Sequence, residues 1–589
     1  MTDTSVDILS IIKRKSSHEN VSLGDAIYSN FIREYGEIDR IRFIDLLCDT
    51  DSPAVHEPPL STGVSERTYL SHNKLKEFVI NFDLVQFGIP YGTRVAILLP
   101  NGPELAVCLI SVISRWCAVP LNPTITVGEL QAEIKSSKAQ ALIILSGAPG
   151  SDVIISTAKQ LNIGILVINP LGSVVGLFRI VMLSPVPSDD KMPLAKMSKN
   201  QNIKLLLHTS GTSGNKKLVP YTFGMVLIGV SCIIESWHLT KSDVCLNMMP
   251  LFHIGGIMRN VLAPILSGGT LIACSGFDAL LFWDILAMQR VTWYYAAPTM
   301  HHAILLQAEQ RRLSESTLST SSIRFIANAA GGLLPVLALG LKSTFKCLIL
   351  TSYGMTECMP ISTPPPDYNL DPSGTSGKAV GPSIIIVDDD LKILPVNTKG
   401  NIFVRGTPCF SGYEDNDTAN EESFFTINGQ NGWFNTGDMG YLDVNNYLFI
   451  SGRSKEVINR GGETISPFEI EEALVQHKDI KEAIAFSAPH AQYQESVGAV
   501  IVLRSDSNRP DLISLHKYLD NKLHRSKWPQ VLVFMNALPK NAAGKVLRIK
   551  FAERVGLTDI DEESSQLTRM YEGECPPVGP HFLLQLKSL

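Results

Sequence analysis

The first constraint on this chain comes from what it lacks. It has no CxxC and no paired metal-ligand spacing. Its ten cysteines (Cys48, Cys108, Cys117, Cys232, Cys245, Cys274, Cys347, Cys358, Cys409 and Cys575) are scattered, most of them in apolar runs where a thiol acts as a small hydrophobe. That pattern disfavours disulfides and suits a reducing compartment. Neither sign of charge dominates: Lys plus Arg total 51 and Asp plus Glu 57, leaving −6. With a pI near 6.1, nucleic acid is not expected as the main partner. Long apolar runs are missing too. The most apolar early segment, Leu105 to Leu121, carries Arg115 and Trp116 and falls short of the ~20 residues that span a bilayer, so it reads as a buried helix running into a strand. The N-terminal MTDTSVDILSIIKRKSSHEN has no secretory apolar stretch, and the C-terminal Lys587, Ser588, Leu589 only permutes a peroxisomal signal. A cytoplasmic setting is expected. No internal repeat and no low-complexity tract is found.

What is present is a globular composition over 589 residues, with 45% hydrophobic residues, 43 Gly and 34 Pro. At about 150 residues per domain, three or four folding units are allowed. A helical leader runs to about Thr50, and the Pro- and Ser-containing stretch Asp51 to Glu66 reads as an irregular connection. Beyond it, apolar strands (Val95 to Leu99, Ala141 to Leu145, Ile165 to Ile168, Leu205 to Leu207, Thr270 to Ala273, Ile323 to Ala327, Cys347 to Thr351) alternate with helical patterns such as Glu104 to Ser114. Alternation of this kind predicts an α/β protein with parallel sheets. After Val380 the chain turns strand-rich, with a solvated acidic turn at Asp388 to Asp390. Past Gly452, a helix at Pro467 to Leu474, a strand at Ala499 to Leu503 and a helix at Asp511 to Leu523 predict a small α+β domain. Residues after about Val555 read as a tail or linker.

Five segments carry chemistry. Thr209, Ser210, Gly211, Thr212, Ser213, Gly214, Asn215, Lys216, Lys217 follow the strand Leu205 to Leu207 and offer hydroxyls, open backbone amides and a cation to a phosphate. The spacing is not that of a Walker A loop, and a flexible surface turn fits the same residues. Thr351, Ser352, Tyr353, Gly354, Met355, Thr356, Glu357 combine an aromatic that can stack on a base with a carboxylate that can hold Mg²⁺; a core Tyr with a helix-capping Thr-Glu pair is the plainer alternative. Asn435 to Tyr441 presents Asp438 to a ribose, or simply makes a tight turn. Gly452 to Glu463, with Arg453, Lys455, Arg460, Gly461 and Gly462, suits a polyanion and a backbone that moves, or a solvated loop. Finally, Pro539 to Arg548 contains Lys545 after Gly544, either a mobile cation or a solvated one.

Each segment alone is ambiguous, but the five in this order resemble the AMP-forming acyl-adenylate superfamily of acyl-CoA synthetases, aryl-CoA ligases, luciferases and peptide-synthetase adenylation domains. The likeness runs from about Tyr69 to Arg548, and Leu121-Asn122-Pro123 and Pro250-Leu251-Phe252-His253 add to it. It implies a large multi-layer N-terminal domain (1–451) of parallel sheets, helices and a small β-rich subdomain, a small mobile α+β C-terminal domain (452–555), and a tail (556–589). It also implies activation of a small-molecule carboxylic acid by ATP to acyl-AMP, with release of pyrophosphate, and then transfer to a thiol. By position, Thr209 to Gly214 and Lys217 would cradle the β- and γ-phosphates. Tyr353 would stack near adenine, with Ser352, Ala330 and Gly331 beside it. Thr356 would contact the α-phosphate, Glu357 would hold Mg²⁺, and Asp438 would bind the ribose with help from Arg453. Lys455 would be the hinge. Lys545 would bridge the α-phosphate region and the acyl carboxylate, and Gly461 and Gly462 would reach the thiol tunnel after the small domain turns.

The sequence departs from the family pattern at Lys216 and Leu218, where Pro and Gly are usual, at Asn401, where an acid is usual, and at Asn541, where Thr is usual; no charged catalytic group is lost. His253 falls at the mouth of the implied acyl pocket, or caps a turn. Ile254, Gly255 and Gly256 follow it where amino-acid-activating members place an Asp, which disfavours an α-amino acid. The run Val291 to His301 looks like the oxalate and medium-chain ligase side of the family. Cys274, Trp283 and Met359 line the pocket or are core. CoA is the expected thiol; a carrier-protein phosphopantetheine and a nucleotide-binding scaffold without activity are the alternatives.

Overall fold

The computed structural model describes residues 6, 8–13, 22–58, 67–186, 202–209, 216–311, 322–328, 332–453, 456–460, 463–490, 493–505, 507–540, 546–555, 557, 570–573 and 587–588. The chain divides into two compact units: 1–384 with 403–434 and 445–448, and 385–402 with 435–444 and 449–589.

The first unit is built on two seven-stranded sheets. One runs, in spatial order, Leu348–Thr351, Phe325–Asn328, Trp293–Ala296, Val244–Asn247, Thr270–Ala273, Pro53–His56 and Leu70–Ser71. Every neighbouring pair in it is parallel except the last. Three of its inner strands, Thr270–Ala273, Trp293–Ala296 and Phe325–Asn328, are buried along their whole length, as a parallel sheet covered on both faces requires. Pro53–His56 corrects the expectation of an irregular connection at Asp51 to Glu66. Ala54 and Val55 are fully buried and Val55 pairs with Leu271. Pro53, at the first position of the strand, removes no inner ladder bond. Four residues were too few to show a period.

The other sheet runs Phe178–Ser184, Gly164–Pro170, Ala141–Leu145, Arg94–Leu98, Cys117–Pro120, Ile203–His208 and Leu218–Thr222, parallel within and antiparallel at both edges. The predicted helix-into-strand is found as Pro103–Arg115 followed by Cys117–Pro120. Another helix, Phe223–Ser236, is apolar nearly all round and buries 11 of its 14 residues, the signature of a helix enclosed on every side. At Gly229 a Cβ would fall 2.5 Å from the Met359 carbonyl oxygen and 2.8 Å from the Met258 methyl, so only glycine lets the helix come this close.

In the second unit Ile480–His490 and Gln494–Leu503 form an antiparallel pair, and Val531–Met535 adds in parallel. Helices Pro467–Val475 and Leu512–Leu519 cover this sheet through Ile470, Leu474, Leu512, Leu515 and Leu519. The second helix ends at Leu519, short of the expected Leu523. Met570–Gly573, in the segment read as a tail, pairs in parallel with Val531–Met535. The architecture is α/β with a separate α+β unit, and no helix among the described residues is long and apolar enough to cross a membrane. No disulfide joins the nine described cysteines.

Candidate active site

In the first unit the candidate residues gather at the carboxyl ends of the parallel strands, where side chains and loops are free to face a ligand. Leu348–Thr351 delivers Ser352, whose hydroxyl donates to the Asn328 carbonyl at the end of the neighbouring strand (2.9 Å). The chain then pairs Tyr353–Met355 against Cys358–Thr363, and the turn between them carries Thr356 and Glu357. Two bonds fix that turn: the Tyr221 hydroxyl donates to the Thr356 carbonyl (2.8 Å), and the Phe410 N–H donates to the Glu357 carbonyl (2.9 Å). Glu357 is 7% exposed, and its carboxylate accepts from the Tyr413 hydroxyl at 2.7 Å. Burial, reinforced by the Glu357 charge, holds the Tyr413 phenol well above its ordinary range, so it stays a donor.

Tyr413 also connects this turn to the 209–217 segment. The Glu414 N–H donates to the Leu218 carbonyl at 3.0 Å, and the Lys217 ammonium stands 4.4 Å from the centre of the Tyr413 ring. Lys217 is tied in turn to Thr209: the Thr209 N–H donates to the Lys217 carbonyl (2.8 Å) and the Lys217 N–H to the Thr209 hydroxyl (3.2 Å). Tyr413 therefore links Lys217, to which Thr209 is bonded, with Glu357 in the turn that also carries Thr356. Lys216, a departure from the family pattern, pairs with Glu133 and stands 3.9 Å from Glu129 of the helix Val127–Ser137, which anchors that end of the segment. His253 lies in the turn after Val244–Asn247. Burial, with the Lys216 charge adding to it, lowers its imidazole to about 4, so it is neutral at pH 7.

In the second unit Arg453 Nε stands 3.2 Å from Asp438 Oδ1. Asp438 is buried (5% exposed), and its backbone N–H donates to the Thr436 hydroxyl at 3.1 Å, which holds the turn in shape. The expected pair is brought together. Ser210, Gly211, Thr212, Ser213, Gly214, Ala330, Gly331, Lys455, Gly461, Gly462 and Lys545 lie outside the described residues.

Cys274, Trp283 and Met359 are core: all three are buried, and the Trp283 indole donates to the Ile304 carbonyl at 3.0 Å. Two residues were not foreseen. Tyr413 stood in a strand-rich stretch whose only signal was an aromatic after Gly412. Arg259 stood as a lone cation inside the apolar run Ile254 to Leu266. Among the described residues no cluster of three or more His, Cys, Asp and Glu is poised to hold a metal by itself.

Residues 53–414 match the AMP-binding enzyme family and residues 469–545 the AMP-binding enzyme C-terminal domain. The chain belongs to this family of adenylate-forming enzymes. It is 32% identical over 500 residues to a probable CoA ligase, CCL9, of Humulus lupulus, covering 83% of this chain and 92% of the relative. It is also 32% identical over 496 residues to an oxalate–CoA ligase of Arabidopsis thaliana, covering 82% and 93%. Among solved structures, ATP-bound MatB from Rhodopseudomonas palustris matches with a TM-score of 0.72 at 25% identity, over 86% of this chain and 96% of that one. The protein is an AMP-forming acid–thiol ligase: it uses ATP to convert a carboxylic acid to an acyl-adenylate and passes the acyl group to CoA. The carrier-loading and scaffold alternatives find no support in these relatives.

Proposed function

We propose that this ligase activates a short carboxylic acid, and that the residues gathered around Tyr413 form the ATP half of its site. The observation that supports the reading is that Tyr413 touches both Glu357 and Lys217, with Thr209 bonded to Lys217 and Thr356 preceding Glu357 in the same turn. The short acid is supported by the relative named for oxalate and by the run Val291 to His301. A carboxylate is a poor electrophile until one oxygen becomes a leaving group. Its attack on the α-phosphorus expels pyrophosphate and needs charge stabilisation more than a base. Lys217 and the 209–214 segment bind the β- and γ-phosphates. Tyr353, with Ser352, Ala330 and Gly331, faces adenine, while Thr356 meets the α-phosphate. Asp438, oriented by Arg453, takes the ribose hydroxyls.

Glu357 fits a Mg²⁺ site. It is a buried hard-oxygen donor steadied by Tyr413, and one carboxylate is what a cation held mostly by phosphates and water needs. When bound, the ion would neutralise phosphate charge. Lys545 bridges the α-phosphate and the acyl carboxylate in the first half-reaction. Domain 452–555, hinged at Lys455, then withdraws Lys545 and brings Gly461 and Gly462 to the thiol path. His253, neutral, stands at the mouth of the acyl pocket. A cytoplasmic location suits this chemistry.

The test is pyrophosphate release with Mg-ATP against short, medium, branched and aromatic acids, each with and without CoA. Acid-dependent release that CoA accelerates is the expected result. Release that needs hydroxylamine and is indifferent to CoA would overturn it.

A further inference from the structure

Arg259 is buried in the first unit and, unlike the buried Glu133 and Asp243, which pair with Lys216 and Arg324, it has no oppositely charged partner among the described residues. Its side chain is 1% exposed, with the guanidinium 5.2 Å from the ring centre of Trp237 and 4.9 Å from that of Tyr295. Nη1 donates to the Ser352 hydroxyl at 2.6 Å, while Nε and Nη2, both enclosed, have no hydrogen-bond partner. No described acid pairs with it, and the segments 210–215 and 329–331 contain no acidic residue. Arginine cannot shed its proton to escape burial, so the charge must be met some other way. The two aromatic faces compensate in part, yet a buried cation without an anion is destabilising. The unmet N–H groups belong to a planar fork whose natural complement is a carboxylate or sulfonate.

The location says which anion that is. Arg259 lies in Gly256–Leu262, a π-helical stretch that begins three residues after His253; wide turns of this kind recur at functional sites. A Cβ on Gly255 would fall 3.1 Å from the Tyr295 hydroxyl, so the turn bearing His253 packs directly on the ring that Arg259 also faces. On its other side Arg259 is bonded to Ser352, in the segment assigned to the adenylate. The guanidinium thus stands between the acyl mouth and the nucleotide segment.

We infer that Arg259 holds a second anionic group on the acyl substrate, so that the acid activated is a short dianion: one carboxylate is adenylated while the other rests on Arg259. This deepens the ligase reading and rests on it. The bonds made and broken are those of adenylation alone, the carboxylate oxygen joining the α-phosphorus as pyrophosphate leaves; Arg259 selects the substrate and takes no proton.

The test compares kcat/KM for pyrophosphate release with acids matched in carbon number: oxalate against acetate, malonate against propionate, succinate against butyrate. In the unaltered enzyme at least one dianion should exceed its partner by roughly 100-fold. Arg259→Met should erase most of that ratio, chiefly through KM for the dianion. Arg259→Lys, which keeps the charge without the fork, should keep part of it and serves as the second variant if Arg259→Met does not fold. Ratios near one in the unaltered enzyme, or a ratio that survives Arg259→Met, would overturn the inference. Release with monoanionic acids alone would overturn it while leaving the ligase reading standing. No release with any acid, ATP being bound, would remove both.

Discussion

Tyr413 shows how a single side chain can organise a site that no contiguous motif contains. It donates to Glu357 and presents its ring to Lys217. Removing the hydroxyl leaves a buried carboxylate short of one donor, a loss on the order of 1.5–3 kcal/mol for a bond to a charged group. We expect Tyr413→Phe to lower kcat/KM for ATP by roughly tenfold and to raise the Mg²⁺ concentration needed for half-maximal rate; a titration of pyrophosphate release against Mg²⁺ reads both. Buried histidines make a second prediction at this scale. Burial lowers His301 to about 3 and, with the Lys216 charge, His253 to about 4, whereas both take up a proton near 6.5 when unfolded. Between those limits the unfolded chain binds more protons, so stability is full above pH 6.5 and falls as pH drops toward 4. Urea unfolding at pH 6 and pH 4.5 should show the decline. His301→Phe should flatten it by about 1.4 kcal/mol per pH unit.

Elements meet where glycine or a buried charge permits. The approach of Phe223–Ser236 to Met359 depends on Gly229. Gly229→Ala would push a methyl into a carbonyl oxygen that cannot yield, and should destabilise the first unit by roughly 1–3 kcal/mol, read from the denaturant midpoint. In the second unit Arg548 binds Glu456 (2.7 Å) and Glu471 (2.6 Å), joining the end of the Lys545 segment to the helix Pro467–Val475. Arg548→Leu would strand two buried carboxylates. The expected loss is about 3–5 kcal/mol, visible as early melting of this unit in a thermal scan. Asp51 to Glu66 is the instructive miss among elements. Alternation made the longer inner strands legible, but Pro53–His56 is a strand only because Thr270–Ala273 lies beside it.

At the scale of the whole molecule, Thr209, Lys217, Thr356 and Glu357 belong to one unit, and the Asp438–Arg453 pair to the other. The segment carrying Lys545 also belongs to the second unit. Lys545→Ala should therefore separate chemistry from folding. Acyl-adenylate formation should fall by about 100-fold or more, as expected when a charge-stabilising donor is lost. The melting temperature should stay within about a degree if the role of Lys545 is chemical and not structural. Thioester formation from supplied acyl-adenylate should persist. Near-full pyrophosphate release in this variant would contradict the role given to Lys545.

The sequence by itself determined the class of this protein. The segment 209–217, the Thr356–Glu357 turn, Asp438 and the Lys545 segment are short, local patterns, and local patterns survive without knowledge of the fold. The alternation of strand and helix announced parallel sheets for the same reason: it is written in adjacent residues. Only the tertiary structure decided that Tyr413 joins Lys217 to Glu357 and that Cys274, Trp283 and Met359 are packing. It alone decided, too, that Arg259 lies enclosed between Trp237 and Tyr295 with two N–H groups unmet. Those facts depend on which strands become neighbours and which side chains are shut off from water. Burial is a property of the assembled layers, and it turns an ordinary arginine in an apolar run into a charge that needs an anion.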